Sequence, residues 1–218
     1  MDEGRKVMAR HFITVEGGEG AGKTTVLLQL QEKLTAVGYD VLITREPGGI
    51  PIAEEIRELI LHPENTAMDM RTEALLYAAA RRQHLVEKVM PALEAGQIVL
   101  CDRFIDSSLA YQGHARGIGM EEVYEMNRFA IDTLMPALTL FFDIEPAAGL
   151  KRINQNKGRE INRLDLEEEA FHDKVYEGYH ILCEHFRDRI KIVDARPEVE
   201  KVTEEAFQLI KSHLAEGG

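Results

Sequence analysis

Short, nearly continuous apolar runs alternate along the chain with longer stretches in which apolar residues return every three or four positions. Five runs, Phe12–Glu16, Val41–Thr44, Ile98–Cys101, Leu138–Asp143 and Ile190–Val193, predict buried β-strands. Between the first two, Thr24–Val37 places Leu27, Leu30, Leu34 and Val37 on one face and stops at Gly38, a helix-ending residue. A longer helix is predicted over Thr72–Ala95, ending at Gly96, with Leu75, Leu85, Val86, Val89 and Leu93 on or near its core side. The last segment repeats Val199, Val202, Ala206, Leu209 and Ile210 at helical spacing. Strands that lack polar alternation and are separated by helices imply a parallel sheet covered on both faces. The expected fold class is α/β, a three-layer α/β/α arrangement with a five-stranded parallel sheet. Pro and Gly are dispersed and no repeat is visible, so residues 1–218 are expected to form a single domain.

That architecture locates a site before any motif is read, because open parallel sheets bind ligands beyond the carboxyl ends of their strands. Those ends carry Glu16-Gly17, Arg45-Glu46, Asp102-Arg103 and Asp143.

Composition narrows the classes. The chain has 218 residues, 26 basic against 38 acidic, a net charge of −12, and 44% hydrophobic residues. This excludes a wholly disordered chain. No apolar run approaches the ~20 residues of a membrane-spanning helix, and Met1–Arg10 lacks the apolar segment of a secretory signal, so the expected location is the cytoplasm. Cys101 and Cys183 read as two reduced, buried thiols rather than a disulfide framework. The acidic balance excludes indiscriminate polyanion binding. Residues 165–218 hold 14 acidic and 7 basic side chains, so the acidity is heaviest away from most candidate cations and leaves room for a local positive pocket.

Gly17-Gly18-Glu19-Gly20-Ala21-Gly22-Lys23-Thr24 fits G-x-x-x-x-G-K-[ST], after a predicted strand and opening a predicted helix. Glycines let backbone N–H groups turn toward phosphate oxygens, and the helix points its positive end at them. Lys23 then reaches the β/γ-phosphates and the Thr24 hydroxyl serves Mg²⁺. The guanine-reading Asn-Lys-x-Asp of a GTPase does not occur, and neither Asp102-Arg103 nor Asp143-Ile144 has the adjacent acids of a transport ATPase. Arginines at strand ends fit a small-molecule kinase better.

Phe12-Ile13-Thr14-Val15-Glu16-Gly17, Thr44-Arg45-Glu46-Pro47-Gly48-Gly49, Asp102-Arg103-Phe104 and Ala110-Tyr111-Gln112-Gly113 occur in this order. Together they resemble the thymidylate kinases, over about His11 to Leu214. The resemblance implies a P-loop kinase fold with a small lid, phosphorylation of dTMP to dTDP with ATP and Mg²⁺, and a homodimer, with no nucleic-acid polymer or membrane as partner. It assigns ATP to Gly17, Gly18, Glu19, Gly20, Ala21, Gly22, Lys23, Thr24 and Thr25. The Asp194-Ala195-Arg196-Pro197 loop, with Arg196, falls beside the adenine.

Tyr77 and Arg81, four apart on one helix face, can stack on a base and bond its edge. In the family these positions hold thymine, with Phe often where this chain has Tyr77. Arg45 and Arg103 are implied to grip the acceptor phosphate, which planar bidentate donors suit. The alternative for Arg45 is a structural ion pair with a nearby acid. Asp102 resembles the acid that organises Mg²⁺, alongside Thr24, and Glu19 the carboxylate that meets the deoxyribose 3′-hydroxyl. Ser107, Ser108, Tyr111 and Gln112 match the segment lining base and sugar, with Tyr111 where the family blocks a 2′-hydroxyl.

Asn154–Asp165 is polar and contains Lys157, Arg159 and Arg163, so it is expected to be a mobile surface loop, the family's lid. Members place the transition-state arginine either in the P-loop, where this chain has Gly20, or in the lid. The expectation is therefore a lid arginine, Arg159 or Arg163, with Arg152 as a further candidate. Two other readings remain at this point: another nucleoside or nucleotide kinase of the same fold, and a P-loop regulatory protein that binds ATP without an acceptor.

Overall fold

The structure is a computed structural model that describes residues 10–155 and 163–215. Its strands are β1 (Phe12–Glu16), β2 (Val41–Arg45), β3 (Ile98–Asp102), β4 (Leu138–Asp143) and β5 (Ile190–Asp194). All pair in parallel, in the order β2-β3-β1-β4-β5. Nine α-helices accompany them among the described residues: α1 (Lys23–Ala36), α2 (Pro51–Leu61), α3 (Met70–His84), α4 (Met90–Glu94), α5 (Ile105–Ser108), α6 (Met120–Ile131), α7 (Pro146–Gln155), α8 (Glu169–His185) and α9 (Val199–Ala215).

Because successive strand side chains point to opposite faces, near-continuous apolar strands feed two cores at once. Phe12, Val99 and Phe141 enter one core; Ile13, Leu100 and Phe142 enter the other. The first is covered by α4, α5, α6 and α8, the second by α1 and α9. Leu27, Leu30 and Leu34 on α1 are almost fully buried, each contributing roughly 1.5–3 kcal/mol of apolar burial. The expected α/β/α layering and all five strands are present.

Two expectations need correction. The single helix over Thr72–Ala95 is instead three pieces. It starts at Met70, where Asp69 accepts from the N–H groups of Arg71 and Thr72 at 3.0 and 3.1 Å. It then widens into a π-helical turn at Leu85–Val89, in which the Met90 N–H reaches back to the Leu85 carbonyl. Pro91, lacking an N–H, cannot continue the regular ladder, and the wide turn absorbs the mismatch. Leu85, Val89 and Leu93 are buried as expected, but Leu75 and Val86 are 57% and 38% exposed. The second concerns only the end of the 154–165 stretch, of which 156–162 lie outside the described residues: Arg163 opens a 3-10 turn (Arg163–Leu166) whose first two side chains are buried.

β1 is central, between β3 and β4. Val15 lies beside Asp102 and Glu16 beside Phe141, so the glycine-rich loop after β1 emerges between the ends of β3 and β4. This topology sets the site.

Candidate active site

A cavity of about 790 Å³ opens over the carboxyl ends of the strands. Glu19, Gly20, Ala21, Gly22, Lys23, Thr24 and Thr25 line one end, and Tyr77, Arg81, Ser108, Tyr111 and Gln112 the other, with Arg45, Asp102, Arg103 and Ser107 in the same wall. The Lys23 ammonium is buried and donates to the carbonyls of Gly17 and Gly18 at 3.0 and 3.1 Å. Burial, and then Arg103, push it below its ordinary value. Gly20, at φ 75°, sits against α7: a Cβ there would lie 2.1 Å from the Gly149 carbonyl oxygen. The loop therefore cannot carry an arginine at this position in this packing, which agrees with the sequence reading of Gly20.

Thr24 donates to Asp102 Oδ2 at 3.4 Å, while Asp102 Oδ1 is buried with no hydrogen-bond partner. A hydroxyl and an unsatisfied carboxylate oxygen side by side fit a hard divalent cation that completes its shell with phosphate and water oxygens. No cluster of three or more His, Cys, Asp or Glu suited to a metal exists among the described residues, so Thr24 and Asp102 are the donor set available there.

Arg103 ends β3 in the left-handed region, φ 69°, costing roughly 1–2 kcal/mol for a non-glycine residue. Its own N–H bonds Val15 at 3.0 Å and the next N–H, of Phe104, bonds Glu16 Oε1 at 2.7 Å, which offsets that strain. The guanidinium donates to Glu19 at 2.7 Å, Tyr179 at 3.2 Å and Ser107 at 3.3 Å, and stands over the Tyr111 ring. Tyr111 also donates to Glu19, at 3.4 Å. Beneath this cluster Glu16 is fully buried and accepts from Ser107 at 2.5 Å and Tyr179 at 2.9 Å. Burial, then Asp106, push its carboxyl up to about 7.

Arg45 pairs with Glu54 at 2.7 Å and is half exposed, so the alternative of a structural ion pair is realised at the cavity wall. Arg81, 2% exposed, donates to Glu46 at 2.7 Å, Ser108 at 3.1 Å and Asn127. Glu46 is shared with His84, whose other ring nitrogen meets Thr44 at 2.7 Å. That histidine is structural. Arg81 still has two of its five N–H groups for a ligand.

The remaining candidates stand apart. Arg159 lies outside the described residues. Arg163, expected on a solvated loop, is buried and committed to Glu73 and to the Ile60 carbonyl at 2.9 Å. Arg152 reaches the wall but donates to the carbonyls of Ala195 and Arg196 at 2.9 and 3.0 Å. Arg196 is 75% exposed and paired with Asp194 at 2.8 Å, which draws the Asp194 carboxyl down to about 2.

Local spacing marks Glu16 and Glu46 only as acids at strand ends, and gives no role to Tyr179, Arg57, Asn127 or Glu73. Glu73 had a signal: it precedes Tyr77 and Arg81 at i, i+4 and i+8 on one face. Arg57, which lines the cavity and donates to the Pro47 carbonyl at 3.1 Å, had none.

The sequence model of the thymidylate kinase family matches residues 15–206. A thymidylate kinase of Oceanobacillus iheyensis is 61% identical over 96% of this chain and 93% of its own, and one of Geobacillus thermodenitrificans is 59% identical over 95% and 92%. Among solved structures, a thymidylate kinase from Ehrlichia chaffeensis superposes with a TM-score of 0.73 at 30% identity, covering 92% of this chain and 97% of that one. With the glycine-rich loop, the arginine that follows β3 and the Tyr77–Arg81 helix face lining one cavity, the chain belongs to the thymidylate kinase family.

Proposed function

We infer that the protein transfers the γ-phosphoryl group of ATP to dTMP, giving dTDP, and that residues 1–218 act as one domain with a lid near 154–165. The observation that carries this is the continuity of the cavity. One space joins Lys23 and Thr24, which suit a nucleoside triphosphate, to Arg103 and then to Tyr77, Arg81 and Gln112, which suit a nucleotide monophosphate. A nucleotide-binding regulator has no use for the second half.

The acceptor phosphate, with a second pKa near ~6, is largely a dianion at neutral pH and is itself the nucleophile. No general base is required. The task of the protein is in-line placement and neutralisation of charge. Arg103, splinted by Glu19, Tyr179 and Ser107, faces the acceptor phosphate, and Arg45 is available once Glu54 yields to a dianion. Lys23 follows the charge that develops between β- and γ-phosphates. Thr24 and Asp102 would hold Mg²⁺, which supplies charge neutralisation to the phosphates when bound. Ser108, Tyr111 and Gln112 enclose sugar and base, and Glu19, held by Arg103 and Tyr111, is assigned to the 3′-hydroxyl; Arg196, exposed and paired with Asp194 outside the cavity lining, would have to turn to reach the adenine. The lid charge is assigned to Arg159, since Arg163 and Arg152 are engaged elsewhere. We place the enzyme in the cytoplasm, where its two buried free thiols suit a reducing medium, and in a homodimer. No helix among the described residues is long and apolar enough to cross a membrane.

Purified protein with ATP, Mg²⁺ and each of dTMP, dUMP, AMP and CMP should convert dTMP best, read as ADP release and diphosphate product. A clear preference for AMP or CMP would refute the substrate assignment, and ATP binding with no transfer to any acceptor would favour a regulator.

A further inference from the structure

Glu73 is 1% exposed, on α3 one turn before Tyr77, and both of its carboxylate oxygens are occupied. Oε1 accepts from Gln112 Nε2 at 2.9 Å and, more weakly, from Arg116 Nε at 3.4 Å. Oε2 accepts from Arg116 Nη2 at 3.3 Å and from Arg163. Both arginines are held from behind: Arg163 Nε by the Ile60 carbonyl at 2.9 Å, Arg116 Nη2 by Glu167 at 2.5 Å. Burial alone would raise the Glu73 carboxyl, but the two guanidiniums outweigh it and keep the group below the ordinary carboxylate range. Glu73 is therefore an anion that accepts and never donates.

This fixes Gln112. A side-chain amide has donors on nitrogen and lone pairs on oxygen. Against an oxygen that only accepts, Gln112, itself 2% exposed, must turn its NH₂ toward Glu73, which leaves its carbonyl oxygen for the cavity it lines. We propose that Glu73 is the positioning residue that sets the pyrimidine selectivity of the acceptor pocket, by locking the Gln112 amide so that the base meets an acceptor. Such an acceptor fits the N3–H of a 2,4-dioxopyrimidine and repels the bare N3 of a 4-aminopyrimidine. Arg81, which can only donate, makes the same choice at the neighbouring position, accepting a 4-oxo group and not a 4-amino group. The proposal rests on the reading of this cavity as the dTMP site. It gives Arg163 and Arg116 a purpose as well, since they keep Glu73 charged and so keep the amide from turning over.

The test is Glu73→Gln, of the same size but able to rotate and donate. Steady-state rates with dTMP and dCMP are measured, together with calorimetric affinities for dTMP and for 2-deoxyribose 5-phosphate, which has no base. The KM for dTMP should rise about tenfold, the scale of one lost or mispaired buried hydrogen bond, with kcat and the KM for ATP nearly unchanged. The ratio of kcat/KM for dCMP over dTMP should rise by about tenfold or more, and deoxyribose phosphate should bind as before. A merely structural role would weaken dTMP and deoxyribose phosphate alike and leave the nucleotide ratio unmoved; that result overturns the proposal. If Glu73→Gln does not fold, Glu73→Asp keeps the charge but withdraws the oxygen from Gln112 by one methylene, and a dTMP KM within twofold of the parent then overturns it. A parent enzyme with no preference for dTMP over dCMP would refute the reading of the pocket and the proposal with it. Preference retained in the variants refutes only the role of Glu73.

Discussion

Glu16 illustrates how one buried acid can serve a site it does not enter. It accepts from Phe104 N–H, Ser107 and Tyr179, and the last two also hold the Arg103 guanidinium. Removal from water and the nearby Asp106 favour its protonated form, with a carboxyl near 7 against an ordinary value near 4.5. Between those values the folded chain keeps a proton that the unfolded chain has lost, so stability falls as pH rises from about 5 to 7 and levels off above it. Urea midpoints of the parent should decline over that window relative to Glu16→Gln, which has no proton to lose; parallel profiles for the two would remove Glu16 as the source. At this scale the sequence disclosed the residues packed into motifs: Glu19, Lys23, Asp102 and Arg103 sit where local spacing puts them. It did not disclose Tyr179, which meets Glu16 across 163 positions. A tyrosine on the apolar face of α8 has the pattern of an ordinary core residue, and only the packing of α8 onto β1 and α5 turns its hydroxyl toward a carboxylate.

The elements repeat that lesson with longer levers. Strands and their order of appearance were legible because a buried parallel strand has no other way to be written than a short apolar run. The break at Leu85–Val89 follows from Pro91, whose missing N–H acts a turn upstream of itself, so periodicity alone passes over it. The burial of Arg163 was illegible for a different reason: a basic residue in a polar stretch has the composition of a solvated loop, and its partner Glu73 lies 90 positions away. On the proposed assignment Arg159 and Arg163 would have different tasks, because Arg163 is committed to Glu73. Arg159→Ala should lower kcat by about three or more orders of magnitude, the usual scale for a transition-state arginine, with the KM for dTMP within about threefold. Arg163→Ala should instead raise the KM for dTMP and lower the melting temperature, because a buried carboxylate loses one of its two counter-ions. Equal losses of kcat in both variants would reject the division.

For the whole molecule, the unexplained feature is apolar surface. Leu75 on α3 and Val86 on the π-helical turn that continues it stand on one stripe, and Arg82 on the same stripe donates to the Ala130 carbonyl of α6 at 3.3 Å. Next to that carbonyl, Phe129 is 94% exposed. A phenylalanine left in water forfeits roughly 1.5–3 kcal/mol of burial, and a chain carrying a net charge of −12 repels its neighbours, so the exposure has to be matched by a specific contact rather than by loose association. A second copy of the chain, presenting the same stripe across a two-fold axis, would cover Phe129, Leu75 and Val86 together. The opposite side of α3 carries Tyr77 and Arg81 into the cavity, so a contact along the outer stripe would also brace the helix that lines it. Light scattering should therefore give the parent a mass of twice 24.6 kDa, and Phe129→Glu, which puts two like charges at the centre of that contact, should return it to a single copy. A parent that runs as a monomer at tens of micromolar, or a Phe129→Glu variant that stays paired, would leave the stripe without this partner and the dimer without this interface.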